Sequence, residues 1–334
     1  MRFAKLTLTT RHFPGLVATG VAVLALSACS SSSLPTLTGF AAVRDQAART
    51  ESAASDRATQ LAEVATDCAS CSAALRAVAA ASDERLEALG GLWDPWGGTP
   101  PEGASAPAAV SEAPTDVSAF IAWLARTATR DLEIAADTNR TSADEARTLA
   151  AAALGRYASA VTIAQAYGID LDAGLDQALL INDRVNAASR QGVQTWSIDL
   201  FDAPAISASF APSGKDLASS QELSSAVATW DCTASTLPQA QVSAGTLTDA
   251  YAVSGELLTR ADTALRAGAA DTRTPRCTLG FLDAPSLASN LLAADSAMLA
   301  SNSSDVRSAG ASAALADIQQ WAPRTSLPAL IGTR

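Results

Sequence analysis

Apolar residues recur at three- and four-residue intervals along most of this chain, and many of those positions hold alanine. That pattern constrains the fold more than any other feature. Alanine is the strongest helix former, but it buries little area per residue. A core built from it must consist of helices that approach closely. Aromatic residues make up only 5% of the chain, so few large side chains are on hand to fill wider gaps. The composition therefore predicts an all-α protein.

The helices can be placed one by one. Phe40, Ala47, Ala54, Leu61 and Cys68 recur every seven residues between Gly39 and Thr66, with Val43 and Val64 beside that line. This is a helix with a narrow apolar seam. Leu75, Val78, Ser82, Leu86 and Leu89 carry a second helix to Gly90-Gly91, a strong stop signal. Almost no loop joins the two, which predicts an antiparallel hairpin. A third helix spans about Val117 to Thr138, with Ile121, Leu124, Ala128 and Leu132 on one face and Phe120, Trp123 and Ile134 widening it. A fourth starts at Ser142, which forms an S-x-x-E capping box with Glu145, and runs to Gly168. A fifth, shorter helix covers Ala173 to Ser189.

Residues 39–189 thus form an N-terminal helical bundle, interrupted at 92–116 by a Trp/Pro linker. Trp93 and Trp96 lie in that linker ahead of Pro100, Pro101, Pro107 and Pro114. They read first as a cap on the open end of the bundle, since buried aromatics mostly serve packing. The alternative is an aromatic ledge for a ligand. Residues 190–215 read as an extended crossover and the domain boundary, because Trp196, Ile198 and Leu200 alternate with polar residues before Phe201, Pro204, Phe210 and Pro212. Residues 216–334 read as a C-terminal four-helix bundle. Ser219 and Glu222 form a second capping box, followed by Leu223, Val227 and Trp230. Leu247, Tyr251, Ser254, Leu258, Ala261 and Leu265 make the cleanest stripe in the chain. Two further helices run from Leu287 to Met298 and from about Asp305 to Trp321.

The start of the chain carries an address. Arg2, Lys5 and Arg11 form a positive segment, Leu16 to Leu26 is apolar apart from Thr19, and Leu26-Ser27-Ala28-Cys29 follows. This is a signal-peptide pattern ending in a sequence that resembles a bacterial lipobox. Residues 1–28 would be removed and Cys29 would carry a diacylglyceryl thioether. More than one acyl chain is needed for stable anchoring, since each buried methylene adds about 0.8 kcal/mol. Residues 29–38, rich in Ser, Thr and Pro, read as a tether. The expected location is the extracytoplasmic face of the cell membrane.

Cleavage would also remove His12, the single histidine. Ser–His–Asp, Cys–His and H-E-x-x-H chemistry all need imidazole, so the processed chain is expected to hold no such catalytic or metal site and no cofactor. Glu133 and Glu256 lie off their apolar stripes and are expected in water. Asp262 sits at a stripe edge and is the least unfavourable inward carboxylate. Loss of Arg2, Lys5 and Arg11 takes 23 basic residues to 20, against 34 acidic ones. That balance argues against nucleic acid as a partner and against electrostatic adhesion to anionic lipid; contact with the membrane would run through the lipid on Cys29.

Four cysteines remain after Cys29, and an even number in an exported chain suggests two disulfides. The favoured pairing is Cys68–Cys71 and Cys232–Cys277. Cys68-Ala69-Ser70-Cys71 is also a C-x-x-C motif, but no βαβ framework surrounds it and Asp67 opposes thiolate formation. It reads mainly as a structural staple.

The layout resembles a family of high-GC Gram-positive lipoproteins with a ferritin-like helical domain of unassigned function. The carrying residues are Leu26-Ser27-Ala28-Cys29, the turn Gly90-Gly91-Leu92-Trp93-Asp94-Pro95-Trp96, and the ending Ile318-Gln319-Gln320-Trp321 to Leu327-Pro328-Ala329-Leu330. The resemblance implies a C-terminal ferritin-like lobe, but ferritin metal ligands have no matching positions in this chain. The expectation is a non-catalytic binding or scaffold module at the cell surface, with Trp93, Trp96, Trp196, Phe201 and Phe210 as exposed apolar candidates for a partner. A C-x-x-C redox protein or a carboxylate-metal enzyme is the alternative.

Overall fold

The computed structural model describes residues 36–99, 101–102, 104, 107–169, 171, 210, 212–244, 249–277 and 283–333. The leader, Cys29, most of the tether, the fifth helix expected over 173–189, and Trp196 and Phe201 of the crossover lie outside them. Among the described residues there are eight α-helices and no strand: α1 (Phe40–Val64), α2 (Ala69–Ala88), α3 (Val117–Ala136), α4 (Ala143–Tyr167), α5 (Gln221–Ala244), α6 (Ala250–Arg266), α7 (Ala284–Met298) and α8 (Ser304–Trp321).

They pack as hairpins in two lobes. In the first, α1 pairs with α2 and α3 with α4, and α2 lies against α4. Ala47, Ala54 and Ala58 of α1 are fully buried, as are Leu75, Phe120, Leu132 and Leu149 opposite them. The small α1 face is what lets the other helices come close. Gly90 and Gly91 close α2 in positive-φ conformations (89° and 74°), with their N–H groups donating to Glu87 O and Leu86 O. The capping box at Ser142 forms as the sequence implies: Ser142 Oγ accepts from Glu145 N–H and the Glu145 carboxylate accepts from Ser142 N–H at 2.8 Å.

The 92–116 linker is tied down by α1. The Asp45 carboxylate accepts the Trp93 N–H at 2.8 Å, Arg49 donates to Ala108 O and Arg57 to Ala113 O. Trp93 and Trp96 are half-buried.

In the second lobe α5 pairs with α6, α7 with α8, and α5 packs on α7. Its core centres on Trp230 and Trp321, both fully buried. The lobes are not separate bodies. Ala311, Ala314, Leu315 and Ile318 of α8 fill the first core, while Val306, Ala313 and Trp321 of the same helix fill the second.

Three sequence expectations are corrected. The α6 stripe is rotated: Tyr251 and Leu258 are exposed (70% and 44%), while Ala250, Val253, Leu257, Ala261 and Ala264 face inward. The line of smaller residues allows close packing against α5, and buried Ser254 is satisfied by donating to Ala234 O at 2.6 Å. The α5 cap is Ser220, whose Oγ accepts the Leu223 N–H, because Ser219 is taken up in a short 3-10 turn over Leu217–Ser219. Among the carboxylates, Glu256 faces water, Glu133 is half-buried, and Asp262 is exposed and paired with Arg266. The inward carboxylates are others.

Candidate functional site: a tail-bordered cleft above buried charge

Each helix of the first lobe sends a charged side chain into its centre. Glu51 of α1 receives Arg85 Nε of α2 at 2.9 Å on one oxygen and Arg156 Nε of α4 at 2.8 Å on the other. Arg156 also donates to Asp131 of α3 at 2.7 Å. Glu51, Arg85 and Arg156 are wholly buried and Asp131 nearly so. Ser82 and Ser159 accept from the remaining arms of Arg85. Burial works against the Arg156 charge, yet Glu51 and Asp131 more than offset it and hold its pKa above the ordinary value. Buried Arg130 goes the other way: desolvation lowers its pKa despite the neighbouring Asp131. Three guanidiniums thus face two carboxylates.

Above this cluster lies a cleft of about 450 Å³ between α2, α4 and the segment that follows α8. Its floor includes Arg85, Gly155 and Ser159; its rim includes Thr162, Arg324 and Thr325. Among the described residues, no carboxylate lines it. The tail is fixed at several points: Gln165 donates to Pro323 O, Arg324 grips Asp249 with two hydrogen bonds (2.8 and 2.6 Å), and Ile331 N–H donates to Ala151 O. A second cleft, of about 400 Å³, opens on the other side of the tail between α7 and residues 326–333, with Leu292, Leu327, Leu330 and Ile331 in its wall.

The second lobe has a polar centre of its own, one side chain from each helix. Trp230 of α5 donates to Asp295 of α7 at 2.9 Å; Arg260 of α6 meets Asp317 of α8 at 2.6 Å and stands 3.8 Å from Asp295. Arg260 also lies over the Trp230 ring, 5.3 Å from its centroid. Burial first, and then the Asp317 charge, push the Asp295 pKa well above the usual carboxylate range, with Arg260 opposing. Asp295 Oδ2 and Asp317 Oδ2 otherwise lack a hydrogen-bond partner; a proton on Asp295 supplies one.

That proton sets a pH dependence. Unfolded, Asp295 would titrate near about 3.9; folded, it holds its proton to higher pH. The native state therefore binds more protons above about pH 4, and stability falls as pH rises from there through the raised folded pKa. Asp295→Asn keeps the bond from Trp230 and offers Asp317 a permanent N–H donor. It should match the parent near pH 4 and exceed it by at least about 1 kcal/mol at neutral pH, the scale of one unsatisfied buried polar group. Urea unfolding at pH 4, 6 and 8 measures this; a pH-independent difference would remove Asp295 as the cause.

Both cysteine pairs expected from the sequence are formed, Cys68–Cys71 and Cys232–Cys277. They do different work. The second joins α5 to the loop before α7 across 45 residues, a closure of about 4 kcal/mol in the chain-entropy model. The first spans one helical turn and contributes roughly 2 kcal/mol on the same model.

Of the other sequence candidates, Phe210 packs edge-on against Trp230 at 5.3 Å and belongs to the second core. It does not come near Trp93 and Trp96, which sit on the first lobe. The buried charges escaped sequence reading, although Ser82 and Arg85 fall in register with Val78 and Leu89, and Asp295 with Leu291 and Met298. Comparison of the chain with protein-family models, curated proteins and solved structures finds no match.

Proposed function

We propose that this chain is a lipid-anchored helical binding or scaffold module on the outer face of a cell membrane, held through Cys29, with no catalytic chemistry at its binding surfaces. The carrying observation is the tail-bordered cleft: an open groove with no carboxylate among its described lining residues, on a helical floor whose charged groups are engaged with one another. Pockets of this size with a few fixed polar groups suit a small ligand or a short chain segment. The leader and lipobox pattern supports the location, and two cystines fit an oxidising compartment. The Trp93/Trp96 turn, beside 42%-exposed Leu92, is the second surface available to a partner.

Two measurements test the reading. Acyl-label incorporation should disappear in Cys29→Ser; label that persists rejects the anchor. Pull-downs from membranes should then be compared for the parent, for Thr162→Trp, which fills the cleft from its rim, and for Trp93→Ala/Trp96→Ala. Loss of a partner by at least tenfold in the first variant alone assigns the cleft, and in the second alone the Trp turn. Identical profiles in all three reject both surfaces.

A further inference from the structure

We infer that the Cys68–Cys71 cystine is a redox-active centre that exchanges two electrons with dithiols of exported proteins. The bond does not staple the α1/α2 hairpin. It joins the N-cap of α2 to the third residue of the same helix, so opening it frees no element from another. Its two sulfurs are also unequal. Cys71 is 2% exposed and packs in the first lobe, whereas Cys68 is partly exposed at the hairpin tip, flanked by exposed Thr66, Asp67, Ala69 and Ser70. An incoming thiolate can reach Cys68 and not Cys71.

The surroundings of Cys68 suit a leaving group and a nucleophile. Its Sγ accepts the Cys71 N–H at 3.2 Å, and the Ser70 hydroxyl lies 3.4 Å away. Both donors sit at the N-terminus of a 20-residue helix, where unpaired N–H groups favour negative charge. Asp67 opposes this, but its charge is in water, where such repulsion is weakest.

The exchange balances as follows. One thiolate of a substrate dithiol attacks Cys68 Sγ; the Sγ–Sγ bond breaks, and Cys71 leaves with the electron pair and takes up a proton from water. The second substrate thiolate attacks the substrate sulfur of the mixed disulfide and expels Cys68 as a thiolate. The substrate is oxidised to a disulfide and gives its two protons to solvent, from which Cys71 takes one; the cystine is reduced to the Cys71 thiol and the Cys68 thiolate. A small disulfide such as oxidised glutathione reverses the sequence and restores the bond. The exchange itself does not depend on either binding surface; that its substrates are exported proteins rests on the location proposed above.

The test uses the full chain in graded mixtures of reduced and oxidised glutathione, with alkylation and mass spectrometry at each cysteine. Cys68–Cys71 should open under native conditions with the helical circular dichroism unchanged, while Cys232–Cys277 stays closed. In Cys71→Ser, Cys68 should be trapped as its glutathione adduct and, once freed, should alkylate at pH 7 at least about tenfold faster than free cysteine, whose pKa is about 8.5. In Cys68→Ser, Cys71 should react at least tenfold slower than Cys68 does. Opening only on unfolding, a Cys68 no faster than free cysteine, or equal reactivity of the two sulfurs would each overturn the inference. If either variant fails to fold, exchange of the parent with glutathione decides alone.

Discussion

Arg156→Ala is expected to cost about 3–5 kcal/mol, the usual penalty for breaking a buried ion pair from one side. Among the described residues, Arg156 is the one side chain that pairs with both Glu51 and Asp131. Without it, Glu51 keeps Arg85, while Asp131 is left with the 3.7 Å approach of Arg130 as its ion pair among the described residues. Burial already depresses the Arg130 pKa, so Arg130 is a poor substitute. A native domain has about 5–15 kcal/mol of stability in all, so this one change removes a large fraction of it. Pairing Arg156→Met with Asp131→Asn, which leaves the buried Glu51–Arg85 pair intact, should return part of the loss, because no buried carboxylate is then left without its guanidinium. Guanidinium unfolding of the series measures it; a single-variant loss below about 1 kcal/mol would show that the cluster is not what orders the lobe.

Gly155→Ala should also destabilise, against the helix-forming trend. In an open helix the change gains about 1 kcal/mol. At Gly155 an added Cβ would overlap the carbonyl oxygen of Ala329 in the tail and crowd Arg85 Cδ. The tail must lift or α4 must shift, and overpacking of that kind costs about 1–3 kcal/mol. Gly255 is the internal control: it lies on the exposed face of α6 with nothing near its Cβ direction, so Gly255→Ala should stabilise. Opposite signs at the two glycines are the expected result, together with faster tryptic cleavage after Arg324 in the first variant. Equal signs would mean that the tail is not seated on α4.

The all-helical fold was legible because the three- and four-residue spacing repeats over long, uninterrupted segments. Helix ends followed where the signal was chemical, as at Ser142/Glu145 and Gly90-Gly91. The reading failed on α6, where two adjacent lines of residues were both plausible faces. The bulkier one, through Tyr251 and Leu258, was preferred, whereas packing against α5 selected the smaller one. The charged centres were hidden for a related reason. A Glu or Arg on an apolar stripe reads as an interruption unless its partner is known, and the partners lie 34, 105 and 25 residues away for Glu51–Arg85, Glu51–Arg156 and Asp131–Arg156. The cleft was invisible in the same way: its floor and rim come from α2, α4 and a tail that no periodicity describes. The cysteine pairing was legible because Cys68 and Cys71 lie three residues apart at a hairpin turn, which favours one of the three possible arrangements.

Because α8 packs into both cores and residues 323–331 lie across α4, the amino-terminal half cannot finish folding on its own. A chain threaded through a membrane from its front end would hold α1 to α4 with an unfilled seam until about residue 331 had followed. Completion would then come as a single late event joining first and last segments, with removal of the final thirty residues loosening the half of the molecule farthest from the cut in sequence.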